Sequence, residues 1–338
     1  MIDKILRWNL AAGVLFAMVV MFTSCSESTK PAKKLHSIGN TSEILIVVQN
    51  EQQWENKIGK VIRQYLAKDQ FGLNQPEPIF KLSHIQKKSF SELFQKQRNL
   101  LIVNIDKNAD KPKVEVLHDH WAQPQAVIRI TAPSSVDFVK TFQENAESII
   151  MQFTKTERER ILAVYRASCP NKITKKVAEV FGINMIIPQD YYVAKTDTNF
   201  MWIRKEASAF SQGLLIFTDP YLDTTQFSVA SIIARTNRFQ KQYVPGPAEG
   251  SYMSTDHEYV LPKAKVVTDF VTNYAVEVRG LWKVIGDFMG GPFLSVTFVD
   301  PRTNKIVTIM GYVYYPNKNK RDMLLQMEAI IYSTTFTK

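Results

Sequence analysis

Two kinds of hydrophobic pattern alternate along the first half of the chain. Short apolar runs bounded by polar residues occur at 43–48, 99–105 and 126–131, and such runs are typical of buried strands. Apolar residues at helical spacing follow the first run over 54–66 and the last run over 138–153. Strands that alternate with helices in this way indicate an α/β-type domain.

The second half of the chain predicts an antiparallel sheet. Its strand candidates lie at 183–187, 200–205, 214–218, 269–278, 293–299 and 306–315. The turn residues Asp300 to Asn304 join the last two strands as a hairpin. One helical pattern begins at Thr225 and a second covers 321–332, and these two helices can pack on the sheet. The predicted fold class is α+β, with an N-terminal α/β-type domain followed by a domain with an antiparallel sheet and packed helices.

Length and helix-breaking residues divide the chain. Ser168, Cys169 and Pro170 end the long helical pattern, and a proline suits the first position of a new helix. Domains contain roughly 150 residues as a rule, so two domains are expected after a leader segment. The predicted segments are a lipoprotein signal peptide at 1–25, a polar tether at 26–40, an α/β domain at 41–168 and an antiparallel-sheet α+β domain at 169–338.

The first 25 residues predict a membrane anchor. Lys4 and Arg7 precede an apolar run over 8–22, which is too short for a membrane-spanning helix of roughly 20 apolar residues. The sequence Phe-Thr-Ser-Cys that ends at Cys25 then has the form of a lipoprotein cleavage site. We therefore predict lipidation at Cys25, which attaches the protein stably to a membrane outside the cytoplasm.

Composition and charge narrow the class of protein. The chain is 45% hydrophobic and 22% charged, as expected for a folded protein with a core. Removing residues 1–24 leaves 40 basic and 31 acidic side chains, a net charge of +9. A protein outside the cytoplasm does not meet nucleic acid, so we expect none as a partner. The predicted acylation uses Cys25, so Cys169 has no second cysteine with which to form an internal disulfide.

A long connection in the second half is the candidate binding region. More than 20 residues separate the helix that begins at Thr225 from the strand predicted at 269, and connections above roughly 12 to 15 residues are usually functional or disordered. Its tyrosines and arginine are residue types enriched at binding hot spots. The alternative is an ordered loop that covers one face of the sheet. The candidate binding residues are Arg238, Tyr243, Tyr252, Met253 and Trp282.

Catalytic and metal-binding patterns are weak. Asp256, His257 and Glu258 place acids beside a base and support an alternative function, an envelope hydrolase that acts on glycan or peptide. His118 and His120 lack a third ligand nearby, whereas zinc sites use three or four. No metal or cofactor is expected. The question of enzymatic activity stays open at this stage, and the absence of a catalytic motif favours a non-catalytic role.

Four blocks of sequence carry a resemblance. They are the cleavage site that ends at Cys25 and the segments 235–253, 280–293 and 311–322. With these blocks, the chain resembles an uncharacterised family of Bacteroidetes lipoproteins that is classed only as a domain of unknown function. The resemblance covers nearly all of the mature chain. It implies a location in the cell envelope and offers no activity or catalytic residues.

These observations combine into an expected location and role. Residues 26–30 lack the acidic pattern that favours surface display among such lipoproteins. We therefore expect the protein to face the periplasm. Ser26 follows Cys25 in place of an aspartate that would suggest retention at the inner membrane, so the expected location is lipid-anchored at the outer membrane. Its expected partners are the membrane, through Cys25, and an envelope protein or small ligand. The expected function is binding without catalysis, with the envelope hydrolase as the alternative.

Overall fold

A computed structural model describes residues 34–337. The predicted signal peptide, the lipidation site at Cys25 and the predicted tether up to residue 33 lie outside the described residues. The α-helices are α1 (Glu51–Glu55), α2 (Lys57–Leu66), α3 (Glu92–Gln95), α4 (Ser135–Tyr165), α5 (Lys172–Phe181), α6 (Val229–Tyr243) and α7 (Arg321–Tyr332). Across residues 34–337, no helix combines the length and apolarity needed to cross a membrane.

The strands form two larger sheets, and the predicted α+β class is confirmed. The strands of the first half are β1 (Leu35–His36), β2 (Glu43–Val48), β3 (Lys81–Gln86), β4 (Asn99–Ile105), β5 (Lys113–His118), β6 (Ala122–Gln123) and β7 (Ala126–Ala132). The strands of the second half are β8 (Ile183–Asn184), β9 (Tyr192–Thr196), β10 (Phe200–Glu206), β11 (Ser211–Pro220), β12 (Tyr252–Asp256), β13 (Lys263–Val267), β14 (Ala275–Ile285), β15 (Gly290–Asp300), β16 (Lys305–Tyr314) and β17 (Thr335–Phe336).

The first sheet has five strands in the order β3-β2-β4-β7-β5. Neighbouring strands are parallel except at the edge, where β5 runs antiparallel to β7. The long helix α4 begins at its cap Ser134, whose hydroxyl accepts a hydrogen bond from the backbone N–H of Asp137 at 3.2 Å. Its buried residues Phe138, Phe142 and Phe153 recur at helical spacing and pack with α2 over one face of the sheet.

The second sheet is antiparallel and has eight strands in the order β12-β14-β15-β16-β11-β10-β9, with β13 also paired to β14. The predicted hairpin is confirmed as β15 and β16, which pair from Phe293 opposite Tyr312 to Asp300 opposite Lys305. Helices α5 and α7 contribute to the core on one face, and α6 packs on the other. The sheet therefore has two apolar faces, each covered by helices.

The prediction of a long connection without strands in the second half is wrong. It contains β12 and β13, and the strand predicted to begin at residue 269 begins at Ala275. The pattern misleads because β13 is an edge strand, in which every residue except Val267 is exposed. A strand without a buried face shows no apolar alternation.

One charge cluster joins helices α4 and α7 to the second sheet. Arg158 and Arg279 donate hydrogen bonds to the two carboxylate oxygens of Glu328, at 2.9 and 2.6 Å. Arg279 also donates to Glu277 at 2.7 Å, and the hydroxyl of Tyr332 donates to the same carboxylate at 2.7 Å. The four charged side chains, with exposures of 7 to 16%, form what we call the buried charge network.

A second link between the halves is the start of α7. The buried carboxylate of Glu77 accepts hydrogen bonds from the backbone N–H groups of Lys320 and Arg321, at 2.7 and 3.0 Å. These N–H groups belong to the first turn, where a helix has no partners of its own. A carboxylate from the first half thus caps the closing helix of the second half. The first sheet lies before residue 168 and the second after it, but their division into two domains stays a prediction.

Candidate functional site

A cavity of about 400 Å³ lies on the second sheet beside helix α6. Helix α6 packs on one part of this face, and Val244, Pro245, Gly246 and Pro247 line the cavity beside it. Aromatic, aliphatic and sulfur-containing side chains make up most of the lining. We call this cavity the aromatic pocket; it is lined by Trp202, Arg204, Ser211, Val244, Pro245, Gly246, Pro247, Met253, Trp282, Val284, Met289 and Tyr312.

Two glycines allow large rings to lie against the sheet. A Cβ atom at Gly213 would come within 2.3 Å of the Tyr312 ring, so this ring occupies the space of the missing side chain. At Gly291, a Cβ atom would lie 3.2 Å from the indole nitrogen of Trp282 and 2.2 Å from the carbonyl oxygen of Val313. The close approach of the rings therefore depends on residues without side chains.

The polar atoms of both indoles are occupied within the protein. The Trp202 indole N–H donates to the Tyr312 hydroxyl at 2.9 Å, and the Trp282 indole N–H donates to the Val313 carbonyl at 3.2 Å. Burial raises the pKa of Tyr312 to about 12, so its hydroxyl keeps its proton at neutral pH. The two tryptophans thus present ring surface to the pocket, whereas Tyr312 retains a proton that it can donate.

The segment 244–251 is held against the sheet by its own hydrogen bonds. The backbone N–H of Gly246 donates to the Ser251 carbonyl at 2.9 Å, and that of Met253 donates to the Val244 carbonyl at 3.0 Å. A Cβ atom at Gly246 would lie 2.5 Å from a methyl group of Val284, so glycine permits the close approach to β14. This segment therefore forms an ordered wall of the pocket.

Arg204 supplies the charge at the pocket. Its guanidinium lies 4.6 Å from the centre of the Trp202 ring, within the range of a cation–π interaction. It also pairs with Glu206, whose other carboxylate oxygen accepts a hydrogen bond from the Tyr192 hydroxyl at 3.1 Å. The Nε atom of Arg204 is buried and has no hydrogen-bond partner among the described residues.

The structure brings two of the five candidate binding residues together. Met253 and Trp282 are buried and line the aromatic pocket. The Tyr243 ring instead stacks on a phenylalanine of β10, and Arg238 pairs with a carboxylate at the end of β11. The centre of the Tyr252 ring lies 5.3 Å from the Lys241 ammonium. Pattern reasoning did not find Trp202 or Tyr312, although their strands were predicted, because it does not tell which strands are neighbours.

The residues of the hydrolase alternative do not converge on a cleft. Glu258 pairs with Lys283 at 2.6 Å and its side chain is 70% exposed. Asp256 lies 3.8 Å from the same ammonium and accepts the backbone N–H of Glu258 at 2.8 Å. His257 is exposed. The two carboxylates therefore surround a lysine instead of forming an acid and base pair.

The two histidines considered for a metal are also exposed. The His120 ring packs edge-on against Trp121, with the ring centres 4.3 Å apart. Within residues 34–337, no three histidine, cysteine, aspartate or glutamate side chains are grouped closely enough to hold a metal ion.

A second cavity of about 400 Å³ lies where α4 meets the second sheet. Its lining includes the buried charge network, together with Lys68, Glu147 and Met151. The arginines and glutamates of the network already pair with one another, so their charges are compensated without a ligand. We call this cavity the inter-sheet cleft, and the aromatic pocket is the stronger binding candidate.

Comparisons with known proteins find families without an assigned activity. Residues 170–333 match the family model described as "Domain of unknown function (DUF4837)", and residues 37–166 match "Domain of unknown function (DUF8532)". The predicted resemblance to a domain of unknown function is thus confirmed, while the lineage and the lipid anchor stay predictions. No curated protein matches the chain.

A solved structure is similar at a low level. It is described as "Crystal structure of LpqN involved in cell envelope biogenesis of Mycobacterium tuberculosis". The two chains share 13% identity, and the match covers 46% of this chain and 83% of the other with a TM-score of 0.26. A TM-score at this level supports no argument about fold or function.

Proposed function

We propose that this chain of two domains of unknown function is a cell-envelope lipoprotein that binds a ligand in the aromatic pocket. The observation that carries the proposal is the pocket itself. Ligand sites are concave cavities of roughly 300 to 1,000 Å³ with mostly apolar walls and a few polar groups. The pocket has this size and lining, with Arg204, Ser211 and Tyr312 as its polar side chains.

The lining favours binding over catalysis in this pocket. General acid and base catalysis needs groups that exchange protons near the working pH, most often histidine or a carboxylate. The described residues that line the pocket include neither. The Tyr312 hydroxyl stays protonated, since burial raises its pKa to about 12. We therefore propose a role in holding a ligand, and the hydrolase alternative draws no support from the positions of Asp256, His257 and Glu258.

A photo-crosslinking side chain in place of Met289 tests the binding site. Met289 lines the aromatic pocket, whereas the matched control Met151, which is 42% exposed, lines the inter-sheet cleft. After irradiation of intact cells, we expect a small-molecule or lipid adduct at position 289 and none at 151. Adducts at position 151 alone would contradict the proposal. A protein adduct at 289 would instead identify the pocket as a partner surface.

The proposed location is the periplasmic side of the outer membrane, with attachment through Cys25. The support is the sequence pattern around this residue. Replacing Cys25 with serine removes the acylated thiol, so the protein should lose its membrane attachment. Cys169→Ser is the matched control, because this thiol donates to the Ile187 carbonyl at 3.2 Å inside the fold. Fractionation of cells into membrane and soluble material measures the attachment, and equal amounts of both variants in the membrane fraction would contradict the anchor.

A further inference from the structure

The walls of the aromatic pocket favour an apolar ligand body. Both indole N–H groups already donate to the protein, at 2.9 and 3.2 Å, so the tryptophans offer only their ring faces. Methionine, proline and valine side chains supply most of the remaining surface. Apolar surface of this kind gains free energy when it covers hydrocarbon and none when it covers a strongly hydrated group. The bulk of the ligand is therefore hydrocarbon.

One end of the pocket has the opposite character. Arg204 is the single charged side chain among the described residues of the lining. Its pairing with Glu206 involves a carboxylate that is 47% exposed, and such exposed pairs contribute little. The Arg204 side chain is 26% exposed, and an accessible guanidinium recognises an acidic group, whereas it repels a cation.

The rim of the pocket is also apolar where it meets solvent. Phe288, next to the lining residue Met289, is fully exposed at the tip of the β14–β15 hairpin, with a relative exposure of 108%. Ile285 on the same hairpin is 38% exposed. Burial of these exposed apolar side chains against a hydrocarbon chain would gain free energy. A ligand with a hydrocarbon chain can thus contact the rim before it enters the pocket.

From these three features we propose that the aromatic pocket binds an amphiphile with a hydrocarbon body and an acidic head group, which Arg204 recognises. This inference rests on the proposed function and adds the chemical class of the ligand. A free fatty acid and an acidic membrane lipid share this chemistry, so the experiment includes both.

The test uses photoactivatable lauryl probes on isolated membranes that contain the full chain. Three probes have the same chain and differ in the head group, which is a carboxylate, an alcohol or an amine. A fourth probe, a photoactivatable phosphatidic acid, represents an acidic membrane lipid. Mass spectrometry locates the labelled peptides. We expect an acidic probe to label the segment around 244–253 and the hairpin around Met289 about tenfold more than the alcohol, as for a charge-assisted hydrogen bond.

Two matched substitutions test the role of Arg204. Arg204→Gln removes the cation and should abolish the tenfold preference for an acid while labelling by the alcohol remains. Glu206→Gln removes the competing carboxylate and should preserve or increase the preference. The thermal unfolding of each variant shows that it is folded.

The outcomes separate this inference from the proposed function. Equal labelling of the pocket by acid, alcohol and amine, or a preference for the amine, would overturn the inference and leave ligand binding intact. A preference for acid that survives in Arg204→Gln would overturn the assignment of Arg204. Labelling elsewhere, with none at the pocket by any probe, would overturn both the inference and the proposed function.

Discussion

Replacing Glu328 with glutamine tests whether the buried charge network holds the fold together. The Glu328 carboxylate is 7% exposed and accepts hydrogen bonds from Arg158 at 2.9 Å and Arg279 at 2.6 Å. Glutamine keeps the shape and one acceptor oxygen but removes the negative charge. Arg279 keeps its pairing with Glu277 at 2.7 Å, whereas Arg158 loses its carboxylate, so one buried positive charge is left uncompensated.

The expected loss follows from the burial of these groups. Removing one partner of a buried ion pair costs about 3 to 5 kcal/mol, because the other charge stays buried without compensation. Since the glutamine oxygen still accepts one hydrogen bond, we expect the lower end, about 3 kcal/mol of the free energy of unfolding. This is a large part of the roughly 5 to 15 kcal/mol that stabilises a typical domain.

The matched control is Glu147→Gln in the same cleft. Glu147 pairs with Lys68 at 3.0 Å, but its side chain is 76% exposed, so its loss should change stability by less than about 0.5 kcal/mol. Urea unfolding followed by tryptophan fluorescence measures both variants, with the denaturant slope compared to confirm that the transition is the same. Equal stability of the two variants would refute the view that burial makes the network essential.

Three further predictions concern residues of the second sheet and its hairpins. Gly213→Ala should lower the free energy of unfolding in urea by about 1 to 3 kcal/mol, because the added Cβ would lie 2.3 Å from the Tyr312 ring. It should also reduce crosslinking at Met289, and unchanged crosslinking would contradict this. Phe288→Ser should leave stability within about 0.5 kcal/mol and lower lauryl labelling, since the side chain is fully exposed. Burial opposes ionisation of Glu277, but the charge of Arg279 outweighs burial and lowers the pKa of Glu277 below 4.5. The ionised carboxylate therefore stabilises the fold at higher pH, and this contribution should fade as the pH drops through the folded-state pKa. Glu277→Gln should therefore show a weaker acid-side loss of stability than wild type.

Local patterns predicted most of the secondary structure. The hairpin of β15 and β16, the long helix α4 and the closing helix α7 each depend on residues close together in the chain, where periodicity and turn residues are sufficient. The prediction failed at β13, an exposed edge strand whose residues resemble those of a loop. Its stability comes from pairing with β14, which no local pattern reports.

The aromatic pocket could be predicted only in part. Met253 and Trp282 belonged to the candidate surface because of the length and the aromatic content of the connection around them. Trp202 meets Tyr312 from 110 positions away, through strands β10, β11 and β16. That meeting depends on strand order and on Gly213, whose missing side chain makes room for the ring. Residue types suggest a site, but the sheet register decides which of them share it.

The capping of α7 by Glu77 has a consequence for how the two family segments can evolve. A gene that joined residues 170–333 to a foreign first segment would encode a closing helix without this carboxylate, and the N–H groups of Lys320 and Arg321 would lose their acceptors. We therefore expect recombination at the border between the segments to lower stability unless the new partner brings an acid to the same place. The two segments should be inherited as a pair, and substitutions at Glu77 should be accompanied by compensating changes at the start of the last helix.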